Sequence, residues 1–504
     1  LHSTGRSWGT LPNIFSRDVL LVVILLEDLV LYAVDYARSI GASYAEARYH
    51  KREFRNASLR GDRVIAIGSR VSEGIGVRVL YEGSLSFAST DDLTRDGVRS
   101  AVERAVSSAR AFSRLIKTRI TMSQERVGRV SYEVKAVKPF EDLSISDRIP
   151  YLKRLYESVK NSLREAKLSV FIVNYVEEIE EKIIANSDGA RVRSRIPRIE
   201  GFINIVLSYP GKGTMNKWYE TASTKGLEHL EEARISESLS EMARNMEEIL
   251  IRGIHPPRER VDVIIGSELV GLMVHEGIGH PLEADRVLGR EAAQAGESYV
   301  KPEMVSKARI GNRYANIIDD PTVPGSSGFY LYDDEGVPAR QKILYREGVI
   351  TELLHNRETA AKMGVRSNGS SRSMDYMSEP IARMSNTYFV PGDMEFKELL
   401  EDIEFGVYIK NNMEWNIDDS RWQHRYIGLE AYLIEKGEPG KPVRNPVLEI
   451  TTGDFLSSIA GVDKNLEFFP GTCGKGEPSQ GVPVWMGGPN VKISKIYLGV
   501  APVE

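Results

Sequence analysis

The sequence predicts an α+β protein in two main parts: an N-terminal α/β domain of hairpins and helices, and a mostly β C-terminal domain that carries a metal-bearing helix. Three observations support this. Between Tyr44 and Asn186, apolar runs of strand length alternate with turn signals and with two stretches of helical periodicity. A long amphipathic stretch ends at Gly253, with Pro256 and Pro257 behind it, which marks a boundary. Beyond that boundary, the segment HEGIGH closes a very apolar helix. At 504 residues the chain exceeds one ordinary core. We divide it into an N-terminal extension (1–25), an N-terminal α/β domain (26–252) and a C-terminal domain (253–504).

Taken in order, Val19–Leu26 form an apolar run far short of the roughly 20 residues that span a bilayer. Its length suits the core of a signal peptide, but no small-residue cleavage site follows. Glu27 and Asp28 interrupt it, and an amphipathic helix continues through Leu29, Tyr32, Ala33 and Ala37 to Gly41-Ala42. Strands are expected at Tyr44–Tyr49, Glu53–Leu59, Val64–Ser69, Gly76–Tyr81 and Ser84–Ala88, with turns at Gly61-Asp62 and Glu82-Gly83. Val98, Ala101, Val102, Ala105, Val106 and Ala109 recur at helical spacing, and another helix lies near Ile149–Val159. Strands near Leu168–Val176 and Ile183–Asn186 turn at Asp188-Gly189. Arg191, Arg193, Arg195 and Arg198, interleaved with apolar residues, are read as the solvent face of a strand. Leu227–Leu250 is expected to be one long helix with Leu230, Ile235, Leu239, Met242, Met246 and Ile249 on one face. Ile343–Tyr345 and Val349–Leu353 flank Glu347-Gly348 as a hairpin.

Hydrophobic content of 41% and charged content of 27% fit a soluble globular chain. The net charge is −5 and no basic stripe stands out, so neither nucleic acid nor a membrane is expected as a partner. A single cysteine forms no intrachain disulfide, and a reducing cytoplasm is the simplest home for it.

The metal site is read from spacing. Val261–Ile265 is a buried-looking strand, and Ser267 is a plausible N-cap for the apolar helix that arrives at His275-Glu276. Polar groups at the end of so apolar a helix need partners. A metal satisfies His275 and His280, and its water satisfies Glu276. The familiar zinc-protease helix spaces its histidines at i and i+4, whereas here they lie at i and i+5. In a regular α-helix five steps leave side chains about 140° apart, against about 40° for four. A π-turn would bring them together. Gly277 and Gly279, each costing up to about 1 kcal/mol inside a helix, favour such an irregularity. Cys473 lies in the glycine-rich stretch Gly471–Gly476, expected to be a loop, where Lys475 could lower its thiol pKa. Two histidines, one cysteine and an open fourth position make a catalytic arrangement for zinc. Iron and cobalt suit the same ligands.

The segments HEGIGHPLEAD, GFYLYDDEGVPAR, RMSNTYFVPGD and GTCGKGEPSQGVPVWMGGP resemble signatures of the TldD/PmbA family of metallopeptidases, and GIGVRVLYEGSLSFASTDDLT resembles its N-terminal domain. The resemblance spans about residues 26–500. It implies a C-terminal domain built on a twisted, barrel-like antiparallel sheet. It also implies a dimer around an enclosed channel, either a homodimer or a heterodimer with a PmbA/TldE-like subunit that lacks the motif. With His275, Glu276, His280 and Cys473 all present, the chain resembles the catalytic, TldD-type subunit. One stretch departs from the pattern: NNMEWNIDDSRWQHRY stands between Gly406 and Leu429, where a glycine-rich segment is expected.

The resemblance implies a zinc-dependent peptidase acting on small or unfolded peptides, with Glu276 as general base and zinc-bound water as nucleophile. Glu283 and Asp285 are candidates to orient a ligand imidazole, with a solvated helix end as the plain alternative. Arg383, Asn386 and Thr387 match a family signature and are candidates for substrate binding, with an ordinary polar strand face as the alternative. Asp333-Asp334-Glu335-Gly336 is most simply a turn. The competing reading is a non-enzymatic regulatory binding protein of the gyrase-modulator kind. A structural zinc would want a fourth protein ligand, and nucleotide-binding glycine motifs are missing.

Overall fold

Alternating apolar and polar residues carry the first half of the chain into unusually long strands. The computed structural model describes residues 17–501, except 142, 291–295 and 477. Most of the expected extension at 1–25 lies outside the described residues, and helix α1 (Arg17–Ser39) runs through its end. β1 (Tyr44–Arg60), β2 (Arg63–Tyr81) and β3 (Ser84–Thr90) form an antiparallel meander. A short β4 (Arg129–Glu133) precedes a second meander of β5 (Lys167–Asn186), β6 (Arg191–Tyr209) and β7 (Gly213–Ser223). Pairing of β1 with β5 and of β4 with β6 joins them into one seven-stranded sheet.

The expected strand breaks after Tyr49, Ser69 and Val176 do not occur. Charged residues inside the long strands are matched across neighbouring strands, Arg52 with Glu178 at 2.5 Å, Arg55 with Glu177 at 2.8 Å and Arg198 with Glu180 at 2.7 Å. Arg198 is accordingly buried, not on the solvent face. It has the opposite parity to Arg191, Arg193 and Arg195, and a strand sends alternate residues to opposite faces.

α1 and α2 (Arg95–Phe112) cover one end of this sheet with Val30, Ala33, Val98 and Val102. α3 (Ile149–Ser162) and α4 (Ile235–Arg252) cover the other with Leu152, Leu155, Leu239 and Met246. The single helix expected over 227–250 is broken: a short helix (Glu228–Glu232) stops before Arg234, which sits at φ 46. The Glu228 carboxylate accepts the backbone N–H groups of Val137 and Lys138 at 3.0 and 2.8 Å. That fastens the first turn to another segment and fixes its direction independently of α4.

The second half is built on curled, mainly antiparallel sheets. β8 (Arg260–Ile265) runs inside a nine-stranded sheet. A six-stranded sheet contains β9 (Ile317–Asp319) and β10 (Asn386–Phe389). The segment that departs from the family pattern forms the hairpin of β11 (Asn412–Ile417) and β12 (Gln423–Gly428) at the end of the nine-stranded sheet. The hairpin of β13 (Glu467–Lys475) and β14 (Gln480–Gly488) closes the six-stranded sheet, with β13 at its edge, and β15 (Val491–Val500) lies beside β8. The expected hairpin at Glu347-Gly348 is present, with both residues at positive φ (49° and 77°) as its tight turn requires.

Helix α5 (Ser267–Val274) packs on β10, β13 and β14. It shares a core with Val263 and Ile265 of β8 and Tyr426 of β12. Its N-cap is Gly266, not Ser267, which is already helical. A Cβ at Gly266 would lie 2.2 Å from the Lys410 carbonyl oxygen, so close strand approach selects glycine there.

Candidate metal centre

The last turn of α5 is where the i, i+5 spacing acts. The helix runs on as a π-turn over His275–Gly279, and the His280 N–H donates to the His275 carbonyl. This closure brings both imidazoles to one side. Their ring centroids are 5.0 Å apart and their planes meet at 83°. The glycines between them answer to packing. A Cβ at Gly279 would lie 1.9 Å from Met384 Sδ, and one at Gly277 would lie 2.6 Å from the His424 ring.

Cys473 arrives from β13, opposite Val482 of β14. The stretch expected to be a loop is therefore mostly strand; a cross-strand ladder orders a backbone whose composition alone suggests none. Cys473 Sγ lies 3.5 Å from His280 Nε2. Donor atoms of His275, His280 and Cys473 all lie within 4.8 Å of one another. The three residues are 3%, 2% and 1% exposed. His275 Nδ1 is buried with no hydrogen-bond partner among the described residues. An unsatisfied imidazole nitrogen beside a second imidazole and a thiol is what a soft or borderline divalent cation would satisfy. The residues fit a metal such as zinc.

The electrostatics point the same way. Burial raises the Cys473 thiol, but His280 and Arg383 outweigh it and bring it down to about 7, toward the thiolate a metal binds. Lys475, expected in that role, turns instead to Asp285 at 2.7 Å and Glu283 at 3.4 Å. Glu283 Oε2 lies 3.1 Å from His280 Nδ1. A proton on Nδ1 bonded to this carboxylate leaves the Nε2 lone pair facing Cys473. Burial opposes ionisation of Glu283, but Lys475 and His280 hold it well below the usual carboxylate range.

Glu276 is buried beside His275, and both line a cleft of about 520 Å³. The Arg421 guanidinium donates to the Glu276 carboxylate. Burial alone would raise this carboxyl; His280 and Arg421 hold it below its ordinary value.

Three signatures match the sequence in order: the PmbA/TldA metallopeptidase domain 1 over residues 45–109, the central domain over 138–247 and the C-terminal domain over 258–499. A metalloprotease of Methanothermobacter thermautotrophicus is 30% identical over 459 residues, covering 90% of this chain and 95% of the relative. The chain belongs to the TldD/PmbA metallopeptidase family. A zinc metalloprotease TldD homolog of Saccharolobus solfataricus is 26% identical over 92% of this chain and 98% of its own length. Two solved structures share the fold. TldE from Thermococcus kodakarensis has a TM-score of 0.70 at 15% identity, covering 94% of this chain and 100% of that one. A Thermotoga maritima protein described as a putative modulator of a DNA gyrase has a TM-score of 0.71 at 20% identity, with the same coverage.

Within this TldD/PmbA fold, the structure sorts the other expected site residues. Glu283 touches a ligand-type histidine. Asp285 does not; it binds Lys475. Arg383, Asn386 and Thr387, the candidates for substrate binding, are fully buried, and each is bonded within this domain. Arg383 donates to the Cys473 and Gln480 carbonyls, pinning the β13–β14 hairpin. Asn386 bridges the Asp320 carbonyl and the Gly328 and Trp485 N–H groups, and Thr387 donates to Asp319 at 2.9 Å. Both edges of β10 are already paired, to β9 and β14, so no peptide can add there. Asp333–Gly336 forms a turn whose Asp334 and Glu335 bind Lys182 and Arg78 of the N-terminal sheet. The residue missed from sequence is Arg421. It sits at φ 62 in the turn between β11 and β12, inside the segment already marked as departing from the family.

Proposed function

We propose that the chain is a zinc-dependent peptidase of TldD type that hydrolyses small or unfolded peptides, with His275, His280 and Cys473 as metal ligands. The observation that carries this is the convergence of three buried donor atoms within 4.8 Å, next to a carboxylate that lines an open cleft. A zinc ion held there would supply Lewis acidity and a water acidified to a pKa of about 7. Glu276 accepts the proton of the attacking water and returns it to the leaving nitrogen. Arg421 keeps that carboxylate ionised and fixes its direction. Glu283 holds the His280 tautomer, and Arg383 holds the backbone of Cys473. An extended peptide lies along the outer edge of β13, where main-chain hydrogen bonds tolerate many sequences. A folded domain does not fit a cleft of this size.

The relatives named metalloproteases support this reading, one of them a zinc metalloprotease. No helix among the described residues is long and apolar enough to cross a membrane. A thiol that must stay reduced suits the cytoplasm. We also propose that the chain pairs with a second subunit, its own copy or a TldE-like chain. The outer edge of β2 beyond Ile75 has no strand partner among the described residues and exposes Val64, Ile65, Ile67 and Val71.

Replacing Glu276 with Gln tests the chemistry. Elemental analysis of the variant is expected to show the same metal content as the wild type, while hydrolysis of an unstructured peptide falls by at least about a hundredfold. A variant that cleaves normally would remove Glu276 from the reaction.

A further inference from the structure

The walls of the cleft that ends on His275 and Glu276 include β7 at Lys217–Glu220, Ser238, Glu241 and Met242 of α4, the start of β11, and the outer edge of β13 at Phe469–Thr472. Most of the charged groups on these walls lie within reach of an opposite charge. The Lys217 ammonium donates to Glu268 and to the Asn412 carbonyl. Lys410 pairs with Glu430 at 3.2 Å and reaches Glu241 at 4.0 Å. Glu276 pairs with Arg421. Glu220 is the exception: among the described residues its carboxylate has no cation, although it stands exposed within the cleft.

The position of Glu220 matters more than its charge. Its Oε2 lies 4.0 Å from where a Cβ would stand on Gly471. Gly471 precedes Cys473 by two positions on the same strand, a rise of about 7 Å. The carboxylate therefore hangs over the β13 edge about two residues of extended chain from the metal ligands. A Cβ on Gly471 would also stand 3.0 Å from Met486 Cε, so Glu220 and Met486 both border this position. Although the Glu220 side chain reaches solvent, the surrounding protein desolvates its carboxyl, and this, with Glu200 and Glu268 adding to it and Lys217 opposing, pushes it up to about 7. On the same face of β7, two residues back, Trp218 is 51% exposed, and Trp415 of β11 is 40% exposed. Large indoles on a cleft wall offer π-faces to a cation or to an apolar side chain.

We propose that Glu220 anchors positive charge on the substrate, one or two residues from the scissile bond, with Trp218 as the aromatic wall beside it. The inference rests on the peptidase reading and narrows it to peptides carrying an ammonium or guanidinium near the cleavage point. That charge can come from the peptide's own N-terminus, which makes the enzyme an aminopeptidase-like trimmer, or from a lysine or arginine side chain within the peptide.

The test uses the full zinc-loaded chain and one unstructured neutral peptide in four forms: capped at both ends, with a free N-terminal amine, capped with a single lysine placed at each position in turn, and capped with a single glutamate placed likewise. The quantity read is kcat/KM for each charged form divided by that for the neutral capped form, in wild type, Glu220→Gln and Glu220→Lys. We expect a wild-type ratio of roughly tenfold or more, the scale of one charge-assisted hydrogen bond. The ratio should fall toward one in Glu220→Gln. In Glu220→Lys it should invert in favour of a glutamate-bearing peptide, an inversion that a merely structural role does not produce. A preference for the free amine identifies the N-terminus as the source, and a peak in the lysine series identifies a side chain. A wild type that cleaves the neutral peptide with no charge preference, or a preference unchanged in Glu220→Gln, overturns the proposal and leaves the peptidase reading intact. If no peptide is cleaved, calorimetric binding of the same peptides decides. Tighter binding of the charged form, lost in Glu220→Gln, upholds the anchor while the peptidase reading fails. Equal binding overturns the anchor as well.

Discussion

Two of the proposed metal ligands and the proposed base are each held by a neighbour with a different task. Glu283 sets the His280 tautomer, Arg383 clamps the Cys473 backbone, and Arg421 grips Glu276. Partners of ligand imidazoles typically contribute tenfold to a hundredfold to metal affinity. We therefore expect Glu283→Gln to weaken zinc binding by about that factor in a chelator competition assay, with Glu276 chemistry otherwise intact. Unchanged affinity would show that His280 needs no orienting carboxylate. Arg421→Ala should lower kcat more than it raises KM, because it frees the direction of the Glu276 carboxylate without touching the peptide edge of β13. A pure KM effect would place Arg421 in substrate binding instead. The three side chains that converge were legible in the sequence as candidates, since the i, i+5 histidines and the lone cysteine carry their own chemistry. Arg421 was not, because an arginine in a turn looks like any solvated charge until the fold brings it onto Glu276.

The element that makes the site is the π-turn, and its glycines carry a direct test. Gly279→Ala would set a methyl against Met384 Sδ, at a position 1.9 Å away. Overpacking of this kind costs about 1–3 kcal/mol. We expect a lower midpoint in chemical denaturation together with weaker zinc binding. A variant as stable as the wild type would show that Met384 moves aside freely. The turn could be foreseen because glycine cost and histidine angle both follow from local geometry. The long strands could not. Whether Lys51-Arg52 or Glu177-Glu178 ends a strand depends on partners across the sheet that only register supplies. The same holds for Cys473. Its stretch was read as a loop from composition, and pairing with β14 makes it a strand.

At the scale of the molecule, the two halves meet through buried charge. Asp334 of the second half bonds Lys182 of β5 at 2.9 Å, and Arg78 of β2 binds Glu335 and, at 2.9 Å, Glu46. Nothing local in GFYLYDDEGVPAR announces these contacts, which is why a plain turn was all that could be read there. Burial opposes the Asp334 charge, yet Lys182 and Arg48 outweigh it and bring the carboxyl from 3.8 to about 2. The folded state therefore holds this proton less tightly than the unfolded chain. The contribution to stability, about 2 kcal/mol, is whole above pH 4 or so and is lost as pH falls toward about 2. Asp334→Asn should lower stability at neutral pH by roughly that amount and flatten the acid limb of the stability curve. An unchanged limb would mean that other carboxylates govern acid unfolding.

The claim on which the rest depends is that His275, His280 and Cys473 hold one catalytic metal. The most direct measurement is zinc per chain in wild type and Cys473→Ala, with peptide hydrolysis followed on the same samples. About one zinc per wild-type chain, lost together with hydrolysis in the variant, is the predicted result. Zinc and hydrolysis both retained in Cys473→Ala would contradict it.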